Sequence, residues 1–264
     1  MPTPEIQTYK NILFERDNAL AYVTMNRPAK RNALSVEHMQ ELLACFQDIG
    51  VDRSISVVVL RGNGPAFCAG HDLGELVGAS EEFVAHEFAL CSELMQAIVG
   101  LPQPVIAQVH GIATAAGCQL VATCDLAVAA DDARFATPGV KIGLFCSTPM
   151  VALSRAVGRK RAMEMLLTGE LVPAEQARQD GLVNRVVPTA ELASATRALA
   201  SQIAEASPLV VGIGKGAFYR QAELPLAEAY AYASEVMTRN AQLADAQEGM
   251  CAFLEKRKPV WRGE

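Results

Sequence analysis

The chain has 264 residues, 51% of them apolar and 20% charged, with a formal net charge of −6 at pH 7. A chain of this length buries roughly 70–75% of its unfolded surface, so its core needs neither disulfides nor a structural metal. The acidic balance argues against nucleic acid or an anionic membrane as partner, but allows a small anionic ligand held by local N–H groups.

Residues 12–15 and 21–24 read as two strands joined across Asp17-Asn18. Ser35 is placed to cap a helix whose Met39, Leu42, Leu43 and Phe46 share one face and which ends at Gly50. Residues 57–60 are an unbroken Val-Val-Val-Leu run, the pattern of a strand covered on both faces in a parallel sheet. A small-residue loop follows, bracketed by residues 62–64 and 69–70, and a helix begins at Leu73. Residues 104–109 repeat the order of buried strand, Gly turn and helix, and residues 125–130 give a further strand. Strands alternating with helices over residues 54–187 predict an α/β core of stacked units. Beyond residue 189 the strand pattern fades, and residues 192–205, 226–240 and 245–256 read as helices. The expected division is a core over residues 1–190 and a helical region over residues 191–264.

The seven cysteines are odd in number, scattered, and form no C-x-x-C pair, which indicates neither a disulfide framework nor a zinc site. Reduced thiols in a cytoplasmic protein follow, with no metal. Residues 1–6 lack the basic start and apolar core of a signal peptide. The longest apolar tract, residues 111–130, is interrupted by Gln119 and Asp125. A membrane span needs roughly 18–20 clean apolar residues, so this tract reads as a buried turn, helix and strand.

Chemistry concentrates in five segments. Lys30 and Arg31 project from a short loop ahead of a capped helix, where they are either a solvated pair or a contact for phosphates. Ala69-Gly70-His71-Asp72-Leu73 places small residues after a buried strand and opens a helix N-terminus. A His beside Asp72 is either an oriented acid or base, or an exposed helix-start pair. Residues 110–125 put a Gly/Ala turn at a helix start, leaving N–H groups unpaired and aimed at one point. That geometry suits a developing oxyanion. Residues 135–149 hold Gly139, Lys141 and Cys146. Cys146 reads as a nucleophile or an apolar filler, and Lys141 as a desolvated base or a snorkelling side chain. Glu75, Asp125 and His110 read as helix surface, strand-end hydrogen bonding and core packing. The fifth segment is the basic helix end carrying Phe253 and Lys256.

These five segments, in this order and at this spacing, resemble the enoyl-CoA hydratase/isomerase (crotonase) family along nearly the whole chain. The resemblance implies a crotonase (ClpP/crotonase-like) α/β fold, a spiral of ββα units with a C-terminal helical trimerisation region. It implies that the His71 and Ala116 amides polarise a thioester carbonyl. Lys30, Arg31, Ala69, His71, Asp72 and Leu73 are the positions that adjoin coenzyme A. Phe253 and Lys256 reach the coenzyme A of a neighbouring subunit, in a homotrimer or a dimer of trimers. Coenzyme A enters as part of the substrate, and no separate cofactor is expected. Where the family carries two catalytic glutamates, this chain has Gln119 and Gly139.

Hydration of an enoyl thioester needs a water deprotonated towards one carbon and a proton delivered to the next. Each positioned acid or base is worth about 10²–10⁴ in rate. An amide can orient water but cannot exchange its proton near neutral pH, and a glycine does neither. The expectation is an acyl-CoA-processing enzyme in which efficient hydration by the usual route is absent. The alternatives are a catalytically silent acyl-CoA binder and a decarboxylase dependent on His71. The second draws on a family branch with His in the same Ala-Gly-His-Asp setting, although that branch's tyrosine has no counterpart near Cys146.

Overall fold

A computed structural model describes residues 9–264. β1 (Ile12–Asp17) and β2 (Leu20–Met25) form an antiparallel hairpin turned by Asn18 at φ 55°, an angle Asn tolerates. A 3-10 turn over Pro28–Lys30 leads to α1 (Val36–Val51), where the Ser35 hydroxyl accepts the His38 N–H at 3.2 Å. Then come β3 (Val57–Gly62), the short α2 (Leu73–Leu76) and the long α3 (Glu81–Gly100). β4 (Val105–Val109), β5 (Ile112–Thr114) and α4 (Ala116–Thr123) make one ββα unit. β6 (Leu126–Ala130), β7 (Arg134–Ala136), a 3-10 turn over Pro138–Ile142 and α5 (Ser147–Ala156) make the next. α6 (Arg159–Thr168), β8 (Val172–Pro173), α7 (Ala174–Gln179) and β9 (Arg185–Val187) complete the strand-bearing part. Four helices follow: α8 (Leu192–Ala204), α9 (Pro208–Ala222), α10 (Leu226–Ala241) and α11 (Ala244–Glu255).

The main sheet runs β1-β2-β3-β4-β6-β9, parallel except for the edge hairpin. A second sheet, β5-β7-β8, stands beside it and gains a bridge from Cys68 to Ala113. Each unit therefore gives one strand to each sheet and then a helix, which is the spiral the resemblance implies.

Val58, Leu60, Ala107 and Val109 face the larger core beneath α1, α3 and α4. Their neighbours Val57, Val59, Ile106 and Val128 point the other way, to a smaller core closed by Leu192, Leu199 and Ala200 of α8. The two-sided burial of the Val-Val-Val-Leu run has this cause. α8 falls within residues 191–264 yet packs on the sheet, so that helical region does not stand wholly apart from the core.

The glycine-bearing α9 has no apolar stripe to announce it, and it is fixed from outside. The Lys215 ammonium donates to the Ile98 and Gln103 carbonyls, both at 3.0 Å, and to Asp125 at 2.7 Å. Asp125 also accepts the Val105 N–H at 2.7 Å and the Tyr219 hydroxyl at 2.9 Å. A buried charge pair persists only when its remaining donors and acceptors are satisfied, and here they are. Among the described residues, no helix is long and apolar enough to cross a membrane.

Candidate active site

Residues 31–34 and 69–72 run side by side. The Leu34 N–H donates to the Gly70 carbonyl at 2.7 Å, and the Leu34 carbonyl accepts the Asp72 N–H at 2.8 Å. In a parallel bridge of this kind the intervening residue, His71, turns its own N–H the opposite way. On that side lies the start of α4, whose first amide, that of Ala116, has no preceding turn to bond to. Among the described residues neither amide has an acceptor. Gly70 permits their approach in two ways. Its φ of +101° suits glycine, and a Cβ on it would lie 2.9 Å from the Ala115 Cβ, with the Ala116 nitrogen at 3.5 Å.

Ala115 carries the strain of the turn, at φ 51° and ψ −117°. Backbone in such sparsely populated regions costs about 1–3 kcal/mol for a non-glycine residue. The turn is held because the Ala115 N–H donates to the Ala136 carbonyl at 2.9 Å and the Ala115 carbonyl accepts the Gln119 N–H at 3.0 Å. The residue bearing positive φ is thus the one before the helix, and Ala116 is left free to present its amide.

The two amides open into a cleft of about 490 Å³, within the usual range for small-molecule sites. One wall is Ala69, His71, Leu73 and Phe88; the other is the segment from Pro138 to Pro149, including the exposed Ile142 and Leu144. Lys141 and Cys146 also border it. Burial pushes the Cys146 thiol up, against a nucleophilic role.

Lys30 and Arg31 are exposed on the turn next to this wall, since the Arg31 carbonyl accepts the Ala69 N–H at 3.0 Å. Neither lines the cleft itself, but the Arg31 backbone adjoins Ala69, which does. Phe253 and Lys256 lie elsewhere. Phe253 borders a separate apolar groove with Ala206, Val210 and Trp261, and Lys256 caps the end of α11 at φ 56°.

Asp72 does not orient the His71 ring. Its carboxylate accepts the Arg27 guanidinium at 3.0 Å and the Gly74 N–H at 3.3 Å, capping α2. Burial alone would raise its pKa, but these partners hold it below the usual carboxylate range. The His71 ring instead packs edge-on against Phe88, centroids 5.2 Å apart, with Nε2 buried and unpartnered. Burial lowers its pKa to about 4, so the ring is neutral at pH 7. His110, expected in the core, is partly exposed and bonds the Gly64 carbonyl through Nε2 at 2.8 Å. Glu75, expected at the helix surface, accepts the Val36 N–H at 2.9 Å and so ties α2 to the start of α1.

Gln119, one turn into α4, is 3% exposed and does not line the cleft; its carbonyl oxygen lies 4.0 Å from the Cys91 thiol. Gly139 is also buried, and a Cβ there would meet the Leu144 carbonyl at 2.0 Å. Two groups escaped the sequence reading. Arg27 was hidden because its partner Asp72 is 45 residues away. Glu87 on α3 is fully buried, with neither carboxylate oxygen partnered. Burial, with Glu75 and Asp72 nearby, raises its pKa to about 7. An acidic residue on an otherwise apolar helix stripe, beside Leu90, Cys91 and Leu94, was the signal available.

Comparison with known proteins shows which family has this fold. The human enoyl-CoA hydratase domain-containing protein 3, mitochondrial, is 48% identical over 243 residues, covering 92% of this chain and 80% of that protein. Its crystal structure superposes with a TM-score of 0.92 at 46% identity, over 96% of this chain and all of that one. An enoyl-CoA hydratase of Mycobacterium smegmatis gives a TM-score of 0.94 at 51% identity, over 96% and 99% of the two chains. The 2,3-dehydroadipyl-CoA hydratase of Escherichia coli is 35% identical over 96% of this chain and 98% of its own. A model of the enoyl-CoA hydratase/isomerase family matches residues 15–264, and the chain belongs to that family.

Proposed function

We propose that the protein binds an acyl-CoA or enoyl-CoA thioester, holds its carbonyl oxygen between the His71 and Ala116 amides, and acts on the carbon next to that carbonyl. The carrying observation is that His71 and Ala116, whose N–H groups have no acceptor among the described residues, both line one apolar cleft. Such donors stabilise the enolate that forms when a proton leaves that carbon, each by about 3 kcal/mol. Exposed Lys30 and Arg31, on the turn that adjoins Ala69 of the cleft, suit the phosphates of coenzyme A. The apolar residues exposed on α9 to α11, among them Phe218, Leu226, Tyr230, Met237 and Phe253, suit a trimer that brings Phe253 and Lys256 to a neighbour's ligand. No separate cofactor enters this reading. The six buried free thiols suit a reducing, cytoplasmic setting.

Hydration by a glutamate pair is not part of the proposal, because Gln119 and Gly139 supply no ionisable group. Decarboxylation through His71 is weaker, because its ring is neutral and packed on Phe88. Carbon-13 NMR of a carbonyl-labelled acyl-CoA tests the proposal. The bound carbonyl resonance moves downfield, and the move is lost in Ala116→Pro, which deletes one amide hydrogen at a first helical position where proline is tolerated. An unshifted carbonyl in the bound state overturns it. Coupled measurement of crotonyl-CoA hydration separates an enzyme of the usual type from this one.

A further inference from the structure

Both expected carboxylates are missing, yet a third carboxyl, that of Glu87, sits on α3 one residue before Phe88 of the cleft wall, outside the cleft lining itself. Glu87 lies on the inner face of α3 with its side chain wholly out of solvent and, among the described residues, no donor to either oxygen. Its position is fixed from two sides. Asp72 and Glu75, the charged groups of α2, face it from one side and follow directly after His71. One turn along α3 on the other side is Cys91, which senses the Glu87 charge and touches Gln119 of α4. The next residue, Phe88, forms the cleft wall and packs on the His71 ring. The carboxyl is therefore lodged between the two elements whose ends present the His71 and Ala116 amides.

This placement is costly for a purely structural role. An acceptor buried without a donor forfeits its hydration, and no cation on α2 or α4 compensates it here. Arg27, which pairs with Asp72 at the start of α2, is engaged there and by the Ala33 carbonyl. A leucine, like those at 90 and 94 on the same face, would fill the space without that penalty.

Resting on the thioester reading above, we infer that Glu87 is the proton-transfer residue of this site, acting on the carbon adjacent to the carbonyl of a bound acyl-CoA. In the ionised form one carboxylate oxygen takes a proton from that carbon. The C–H electron pair becomes the C=C bond of the enolate, and the carbonyl pair moves onto oxygen, where the His71 and Ala116 amides receive it. Return of a proton from the carboxyl to carbon restores the acyl thioester, so nothing is oxidised or reduced and no co-reactant is required. A single carboxyl suffices for this exchange, whereas hydration also requires a positioned water.

The test is exchange of the hydrogens next to the carbonyl of hexanoyl-CoA with deuterium from D₂O, followed by mass spectrometry, alongside calorimetric binding of the same compound. Wild-type protein exchanges them. Glu87→Gln, which keeps the shape, slows exchange by about 10²-fold or more while binding stays within about twofold. If Glu87→Gln does not fold, Glu87→Leu, which matches the neighbouring side chains, takes its place with the same expected loss. Binding with wild-type exchange in either variant overturns the inference, as does binding without exchange in the wild type. Failure of wild-type protein to bind hexanoyl-CoA instead overturns the thioester reading and takes this inference with it.

Discussion

The Cys146 sulfur lies 2.9 Å from the point where a side chain on Gly139 would begin, and the Leu144 carbonyl lies closer still, at 2.0 Å. The loop after the 3-10 turn occupies the volume that a larger residue at 139 would need. The missing second glutamate is thus a change of wall as well as of one side chain. Gly139→Glu must displace backbone, which is harder than moving the end of a side chain, so overpacking by about 3 kcal/mol is expected. Thermal unfolding measures that loss. Crotonyl-CoA hydration by the variant stays at the parent rate, and a gain would show that the loop yields.

Gln119 is different, because its backbone and space already suit a carboxylate of the same length. Gln119→Glu is expected to raise crotonyl-CoA hydration by about 10²-fold, the worth of one positioned acid or base. Initial rates of loss of the enoyl thioester's ultraviolet absorbance check it. The same rate as the parent would place residue 119 out of reach of the acyl chain.

Ala115→Gly should stabilise the fold. It removes a positive-φ penalty of about 1–3 kcal/mol and adds about 0.4–1 kcal/mol of unfolded-state entropy, for a net gain near 1 kcal/mol. In a chain of this size that is a rise of about 2–4 °C in Tm. A fall in Tm would mean that the Ala115 methyl group's packing against Gly70 outweighs its strain.

The main sheet, the Ser35 cap and the ββα repeat were legible because they rest on local patterns: an apolar run, a capping serine, Gly turns at strand ends. The Gly/Ala turn pointed by itself only to unpaired N–H groups at a helix start; the particular pair, His71 and Ala116, came from the family resemblance. What escaped depends on distant partners. α9 is a helix because Lys215 reaches Asp125, 90 residues away, and nothing in its own glycine-bearing sequence says so. Asp72 looked free to pair with its neighbour His71 until Arg27 claimed it. Glu87 sits on a stripe that the sequence reading did not assign to any helix.

Lys215→Met removes the cation that holds α9. Asp125 then keeps the Val105 N–H and the Tyr219 hydroxyl but loses its counter-charge, and the Ile98 and Gln103 carbonyls lose a donor. Breaking one side of a buried pair costs about 3–5 kcal/mol. Hydrogen exchange should show α9 amides losing protection before those of β3 and β4. Equal loss across both would place α9 in the same cooperative unit as the sheet.

Two buried groups give stability opposite slopes with pH. His38 is wholly buried and its pKa falls to about 4, mainly through burial. Below the ordinary value of about 6.5 the unfolded chain takes up its proton first, so stability declines as pH falls from 6.5 towards 4, by about 3 kcal/mol. Glu87 works the other way. Its folded pKa, raised by burial to about 7, exceeds that of the unfolded chain, so its contribution is fully present below about pH 4.5 and is lost as pH rises through 7. The two slopes oppose each other between about pH 4.5 and 6.5, and single variants expose each one. Relative to wild type, Glu87→Leu should gain about 3 kcal/mol between pH 4 and pH 8 in urea unfolding. A gain independent of pH would show that Glu87 titrates alike in the folded and unfolded chains.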